Sequence, residues 1–275
     1  LREYAPGSEI VMNGMVYRSA GITLNWHMPA DQQDARETQA IKFAWRCRGC
    51  GASGSSLSLA FASTCDACGS AVHPKDIQQY LEPAGFSVDF YEEPHNDIST
   101  QRFVPVERPW VSARGTWSPL PNPKLGRFRT STEGRVYHHS SGANGSGYAI
   151  CLACGRAEPM LHEGGLPGVF AEKAQHMRLR SRKDDRVCPG SANRWAIKDG
   201  IALGHEVKTD VLEIQLQDQQ GHWLTDRVAA TTLSVAIRDA LAGLIGVQAS
   251  ELVCDVKQSL TEDGQKCFSI LVFDR

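Results

Sequence analysis

The sequence predicts an α+β fold, with a mixed α/β core in its last third joined to two segments organised by cysteines. Three observations carry this prediction. Residues 210–273 alternate strand, helix and strand patterns. Cysteines fall in close pairs at 47/50, 65/68 and 151/154. The stretch from Pro83 to Pro123 is rich in proline and aromatics and poor in helix signals.

Taken in order, residues 1–40 read as a β-rich entry segment. Asn13-Gly14 is the strongest two-residue hairpin signal, and Val11-Met12 and Met15-Val16-Tyr17 flank it as strands; residues 27–40 are polar. Leu1-Arg2-Glu3-Tyr4 has neither an initiating Met nor an apolar run, so it reads as a cut inside a longer protein, as does the strand-like end at Ile270 to Arg275. Residues 73–147 are expected to form loops and short strands such as Arg102 to Val106. The Gly/Ser-rich run Ser140 to Gly147 lacks a Gly-Lys-Ser/Thr ending and a following helix, so it reads as a connector rather than a phosphate cradle.

Residues 148–275 are expected to hold the second zinc site and an α/β core, and the last 75 residues are the most regular block. Leu212, Ile214 and Leu216 alternate as one face of a half-buried strand. Asp226 can cap a helix from about Arg227 to Ile245 that Gly246 ends. Its apolar face is read as Ala229, Leu233, Ala236, Ala240 and Leu244. Phe268 to Phe273 reads as a final buried strand, and this block is the expected hydrophobic core. No run of the sequence approaches the ~20 consecutive apolar residues of a membrane span, so no membrane partner is expected.

The cysteines carry the chemistry. Cys47-Arg48-Gly49-Cys50-Gly51 and Cys65-Asp66-Ala67-Cys68-Gly69 are two CxxC pairs within residues 41–72, the zinc-ribbon pattern. Each pair lets two sulfurs reach one ion, and the trailing glycine permits the backbone turn. Four thiolates close a tetrahedral shell with no open position, so the site is structural, and metal affinity becomes folding free energy. Free thiols or an iron–sulfur cluster are the competing readings.

Cys151-Leu152-Ala153-Cys154-Gly155 repeats the knuckle, and Cys188-Pro189-Gly190 offers a third sulfur. His176 is the expected fourth ligand, because it opens the basic segment leading to Cys188; His162 competes. Two zinc ions are therefore expected. Cys254 and Cys267 flank apolar residues and read as core thiols. Nine cysteines, an odd number, mostly in metal spacing, point to a reducing compartment, hence the cytoplasm.

A net charge of −2 with 22% charged residues excludes binding of nucleic acid by overall charge. Two local basic patches remain: Lys124, Arg127, Arg129 and Arg135, and Lys173, Arg178, Arg180, Arg182, Lys183 and Arg186. No GxxxxGK[ST], DExH, GxSxG or HExxH motif occurs, and no acid–base pair is evident, so no catalytic residues are assigned.

Three segments together carry a resemblance: Leu1 to Gly7 with Val16 to Gly21; Cys151 to Gly155 with His176 and Cys188-Pro189-Gly190; and Leu203-Gly204-His205 with Lys208 to Leu212. They resemble the C-terminal region of bacterial DEAD/DEAH-box helicases that carry the zinc-binding domain of unknown function 1998, a group with mitomycin-repair and anti-phage defence types. The resemblance covers nearly the whole chain and implies a zinc-binding accessory region of an ATP-dependent superfamily 2 DNA helicase. It implies an ATP-hydrolysing core N-terminal to this region in the parent, and metal binding by Cys151, Cys154, Cys188 and His176. The four-cysteine ribbon at Cys47 is not shared by every member. Single-stranded DNA is the expected partner, held by Arg178, Arg180, Arg182 and Lys183, with Trp110 and Trp117 available for stacking. A repair or defence protein is a further expected partner. The alternatives are a zinc-stabilised protein-interaction scaffold with no nucleic-acid contact, and an enzyme in its own right.

Overall fold

β1 (Glu9–Met12) and β2 (Met15–Thr23) form the hairpin that Asn13-Gly14 announces. Asn13 has φ 54° and Gly14 φ 76°, the left-handed pair that a two-residue turn between twisted strands requires. β6 (Gly85–Val88) pairs with β2 and completes a three-stranded sheet. The structure, a computed structural model, describes residues 3–24, 41–58, 63–99, 101–171, 175–180, 186–192 and 196–275. The polar stretch at 27–40 lies outside the described residues.

Among the described residues the second sheet has eleven strands and is built around β12 (Ile197–Leu216), 20 residues long. Its first half pairs with β10 (Tyr148–Cys151), which in turn pairs with β11 (Ala157–Pro159). From Leu203 onward it runs antiparallel to β9 (Gly126–Ser140), against which β7 (Trp110–Ser112) and β8 (Ser118–Pro119) add short edges. Its other edge meets β5 (Ile77–Leu81) in parallel at Ala202 and Leu203. It then meets β14 (Lys266–Asp274), which pairs with β13 (Leu252–Leu260). β3 (Lys42–Arg46) and β4 (Ser53–Ser56) continue outward from β5.

Arg102 to Val106, read as a strand, is irregular; its backbone is held instead by Glu9 N–H donating to the Arg102 carbonyl and by Val104 N–H donating to Ser8 Oγ. The expected strand at 210–216 is only the end of β12. Its N-terminal half lacks alternation because both faces there are covered, and Ile201 to Gly204 are all buried.

The helix occurs where the sequence places it. α1 (Arg227–Ile245) starts at Asp226, whose carboxylate accepts from the N–H groups of Val228 and Ala229. It ends at Gly246 with φ 77° in the left-handed region. Its buried line is different from the expected one. Ala230, Ser234 and Ala242 face β13 and β14, with Ile237 and Leu241 half-buried beside Leu252 and Val272. The predicted face is turned to solvent, with Leu233 38% and Leu244 83% exposed and Ala236 and Ala240 exposed with them. The helix is apolar nearly all round, so periodicity does not distinguish the two flanks. With 19 residues, 18 of which average a hydropathy of 1.5, α1 is by length and composition alone long and apolar enough to cross a membrane, although Arg238 and Asp239 interrupt it.

The expected core block is also corrected. The largest buried cluster joins Ile22, Leu81, Val104, Tyr148, Ile150 and Leu203, and α1 contributes nothing to it. The whole is sheet-dominated, with one α-helix among the described residues, so α+β describes it only loosely.

Candidate metal centres

All three CxxCG segments fold into the same knuckle, closed by two backbone hydrogen bonds. The glycine N–H donates to the first cysteine's carbonyl: Gly51 to Cys47 at 2.9 Å, Gly69 to Cys65 at 2.7 Å and Gly155 to Cys151 at 2.8 Å. The first cysteine's N–H donates to the residue after the glycine: Cys47 to Ala52, Cys65 to Ser70 and Cys151 to Arg156. The three glycines have φ of 71°, 70° and 82°, a region that a side chain disfavours. Close approach adds a second reason at two of them. A Cβ on Gly51 would stand 2.7 Å from the Gln258 carbonyl oxygen, and one on Gly155 2.2 Å from that of Ile22.

At the first centre the ligand atoms of Cys47, Cys50, Cys65 and Cys68 lie within 4.8 Å of one another. The Cys47–Cys68 and Cys50–Cys65 sulfurs are 3.6 and 3.7 Å apart. A disulfide needs about 2.05 Å, so these are separate thiols. A tetrahedron with zinc–sulfur bonds of about 2.3 Å has sulfur–sulfur edges of about 3.8 Å, so the donor set fits that ion. Burial pushes the Cys50 thiol well up, with Cys68, Cys65 and Cys47 adding to it; burial acts the same way on Cys68, but its hydrogen bonds with Ser70 and the neighbouring thiols outweigh it and bring it down to about 7. Four such thiols cannot all ionise together unless a cation joins them. Cys47 follows β3 directly, and Ser259 Oγ on β13 donates to the Cys50 carbonyl at 3.4 Å. The expected zinc ribbon is thus a pair of knuckles, one between β3 and β4 and the other between β4 and β5 of the large sheet.

At the second centre Cys151, Cys154, Cys188 and His176 also lie within 4.8 Å. Cys151 and Cys188 sulfurs are 3.7 Å apart, and Cys154 Sγ is 3.5 Å from His176 Nε2. The tetrahedral edge between a sulfur at about 2.3 Å and a nitrogen at about 2.05 Å from zinc is about 3.6 Å. The set therefore fits a Cys₃His zinc shell, with Nε2 facing the metal position. His162 is exposed and outside the group. Together the two tetrads can hold two zinc ions.

Tertiary structure assembles the second centre. Residues 176–178 and 186–188 run antiparallel, with Cys188 N–H donating to the His176 carbonyl at 3.0 Å and Arg178 N–H to that of Arg186 at 2.8 Å. The hairpin closes the shell from one side, and Ala149, Met160, Phe170 and Ala196 pack around it. Hydrogen bonds and repulsion from Cys151 and Cys188, with burial, push the Cys154 thiol far up. Cys188 is held far down because Cys151 and Cys154 donate to it. His176 rises to about 9 despite burial, because Cys151 and Cys188 accept from it. Its Nδ1 is buried with no hydrogen-bond partner among the described residues.

The basic patches separate. Arg127 pairs with Glu262 at 2.7 Å, Arg129 with Glu213 at 2.6 Å and Arg135 with Glu206 at 3.3 Å, so the first patch is largely neutralised. Arg127 and Arg129 lie 4.5 and 4.6 Å from the Trp117 ring centre, which occupies the ring expected to stack on bases. In the second patch Arg178 is half-buried, Arg180 is exposed and Arg186 lies 4.0 Å over Tyr91. Lys173, Arg182 and Lys183 lie outside the described residues. Cys254 and Cys267 stand apart from both tetrads, and burial raises the Cys267 thiol to about 11.

The sequence reading missed a buried charge cluster on the sheet. Glu213 on β12, fully buried, meets Arg129 on β9 at 2.6 Å and Lys257 on β13 at 3.1 Å. A lone Glu between Leu212 and Ile214 was its only signal in the sequence.

The chain is 24% identical over 231 residues to the Druantia protein DruE of Escherichia coli (strain UMEA 4076-1), covering 78% of this chain. It spans about one eighth of that protein's length, 12%. No protein-family profile matches the chain, and no solved structure matches it.

Proposed function

We propose that this chain is a zinc-stabilised accessory region of an ATP-dependent superfamily 2 DNA helicase in a bacterial cytoplasm, supporting engagement of single-stranded DNA in repair or anti-phage defence. The observation that carries it is the second tetrad. His176 and Cys188 are the two ends of the basic segment 176–188, so a metal bound there would hold Arg178 and Arg180 in place. Pre-ordered arginines lose less entropy on meeting phosphates. The resemblance of the motif set to zinc-binding helicase regions and the similarity to DruE along most of the chain support the same reading. In that arrangement the zinc ions supply structure alone, since each shell is filled by protein ligands.

The test changes Arg178, Arg180 and Arg182 together to Ala and titrates labelled single-stranded DNA at low salt. Loss of binding with both zinc ions retained is the expected outcome. Unchanged affinity would move the DNA contact elsewhere.

One observation favours a second reading, a protein-interaction scaffold. The outer flank of α1 leaves Val228 75% and Leu244 83% exposed, an apolar surface suited to a protein neighbour. Undetectable DNA binding by the intact chain would favour it.

A further inference from the structure

Beside the first tetrad lies a cleft of about 550 Å³, within the range of small-molecule sites. One wall is the knuckle itself, at Cys47 and Gly51. Arg46, at the end of β3, projects from the residue before the first ligand; Arg48 and Lys75 add two more cations. The acidic residue on the wall is Asp76, already paired with Arg48. Asp255 acts on Arg46 from nearby, but its own ion-pair partner is Arg108 at 3.6 Å. Arg46 is half-buried, and no carboxylate among the described residues lies within ion-pair distance of it. Half-buried and without an ion-pair partner, the guanidinium is short of both water and a counter-charge.

Trp110 also lines the cleft. Its ring is held by aromatic neighbours, 5.3 Å from the Tyr137 ring and 4.7 Å edge-on to His139. A held indole beside unneutralised cations suits a ligand that combines a flat ring with an anion. Gln78, whose amide already donates to Tyr137, and Gln258 bring polar amides to the rim. A phosphopeptide would use the cations but leave the indole unused. A nucleotide uses both.

We propose that this cleft seats one nucleotide of a single-stranded nucleic acid, its base on Trp110 and its phosphate on Arg46 and Lys75. The inference rests on the nucleic-acid reading above but assigns a different contact surface, distant in sequence from the 176–188 hairpin. The first tetrad thereby gains a role beyond folding. It fixes Cys47, the residue that follows Arg46, so the metal shell orients the arginine that binds the phosphate.

The experiment uses the zinc-loaded 275-residue chain, labelled oligothymidylate and the variant Arg46→Gln/Lys75→Gln. Both side chains lie at the surface or half-exposed, so the variant should retain two zinc ions and its melting temperature. Affinity at low salt is expected to fall at least tenfold. The slope of log affinity against log salt should fall by about 0.7, as one lost single-strand phosphate contact requires. Photocrosslinking of a bromodeoxyuridine oligonucleotide should label the peptide carrying Trp110. A variant that binds as tightly as the parent, or a crosslink confined to other peptides, overturns the cleft while leaving the nucleic-acid reading intact. A parent chain that binds no oligonucleotide at low salt overturns both.

Discussion

The two tetrads share a knuckle and differ in nearly everything that surrounds it. At the first, all four ligands come from 22 consecutive residues, Cys47 to Cys68, and the apolar neighbours are few: Val72 is buried, with Trp45, Ala52 and Ile77 half-covered. At the second, the ligands span Cys151 to Cys188, three of them are at most 2% exposed, and an apolar cluster encloses them. Metal at the first site therefore stands in for a core that its segment lacks. Metal at the second would fasten a distant hairpin onto a core that already exists. Structural zinc binding is worth roughly 10–16 kcal/mol, comparable with the ~5–15 kcal/mol that keeps a domain folded. Losing either ion should be felt, but over different distances.

The largest effect should come from Cys188→Ser. It releases the 176–188 hairpin and uncovers the cluster of Ala149, Met160 and Phe170, so insoluble or protease-sensitive protein is expected. His176→Ala should act alike, whereas His162→Ala should keep two zinc ions by metal analysis. Retention of full zinc by His176→Ala would remove the contrast between the sites.

Cys47→Ser should be milder and local. One zinc is expected to be lost, with proteolysis confined to residues 41–72 and the strands of the C-terminal block protected from hydrogen exchange. Because Ser259 Oγ and the Gln258 carbonyl meet the knuckle, some loosening should reach β13. Protection lost throughout β12 and β14 would show that the first centre also governs the fold.

A metal-independent comparison comes from Glu213. Glu213→Ala leaves Lys257 and the Arg129 head group buried without their counter-charge, at a cost of about 3–5 kcal/mol by denaturant unfolding. Burial alone would raise the Glu213 pKa, but Lys257 and Arg129 hold it below the ordinary carboxylate value. A depressed folded pKa means its contribution is present above about pH 4.3 and is lost as pH falls through the lower folded value. Glu213→Gln should therefore flatten the acid limb of the stability curve. An unchanged limb would assign acid sensitivity to other groups.

The smallest effect on stability should be that of Arg178, Arg180 and Arg182 changed together to Ala, about 1 kcal/mol, since Arg180 is exposed but Arg178 is half-buried. Only nucleic-acid affinity should respond. A melting shift comparable with that of Cys188→Ser would make these arginines part of the metal hairpin's own structure.

What was legible in the sequence was whatever closes within a few residues. The three knuckles need only six residues each, since their hydrogen bonds run from the first cysteine to the glycine and the residue after it. The Asn13-Gly14 turn and the Asp226 and Gly246 caps are equally local, and their boundaries agree with the structure. Contacts between distant segments decided the rest. His176 rather than His162 completes the second tetrad because Met177 bridges to Val187, a pairing that spacing does not reveal. The face of α1 that is buried depends on where β13 and β14 present Leu252 and Val272, not on the helix's own pattern. β12 becomes a 20-residue spine because β10, β9, β5 and β14 each satisfy a different part of its two edges. Backbone polarity must be met wherever it is buried, and only the assembled sheet determines which neighbour meets it.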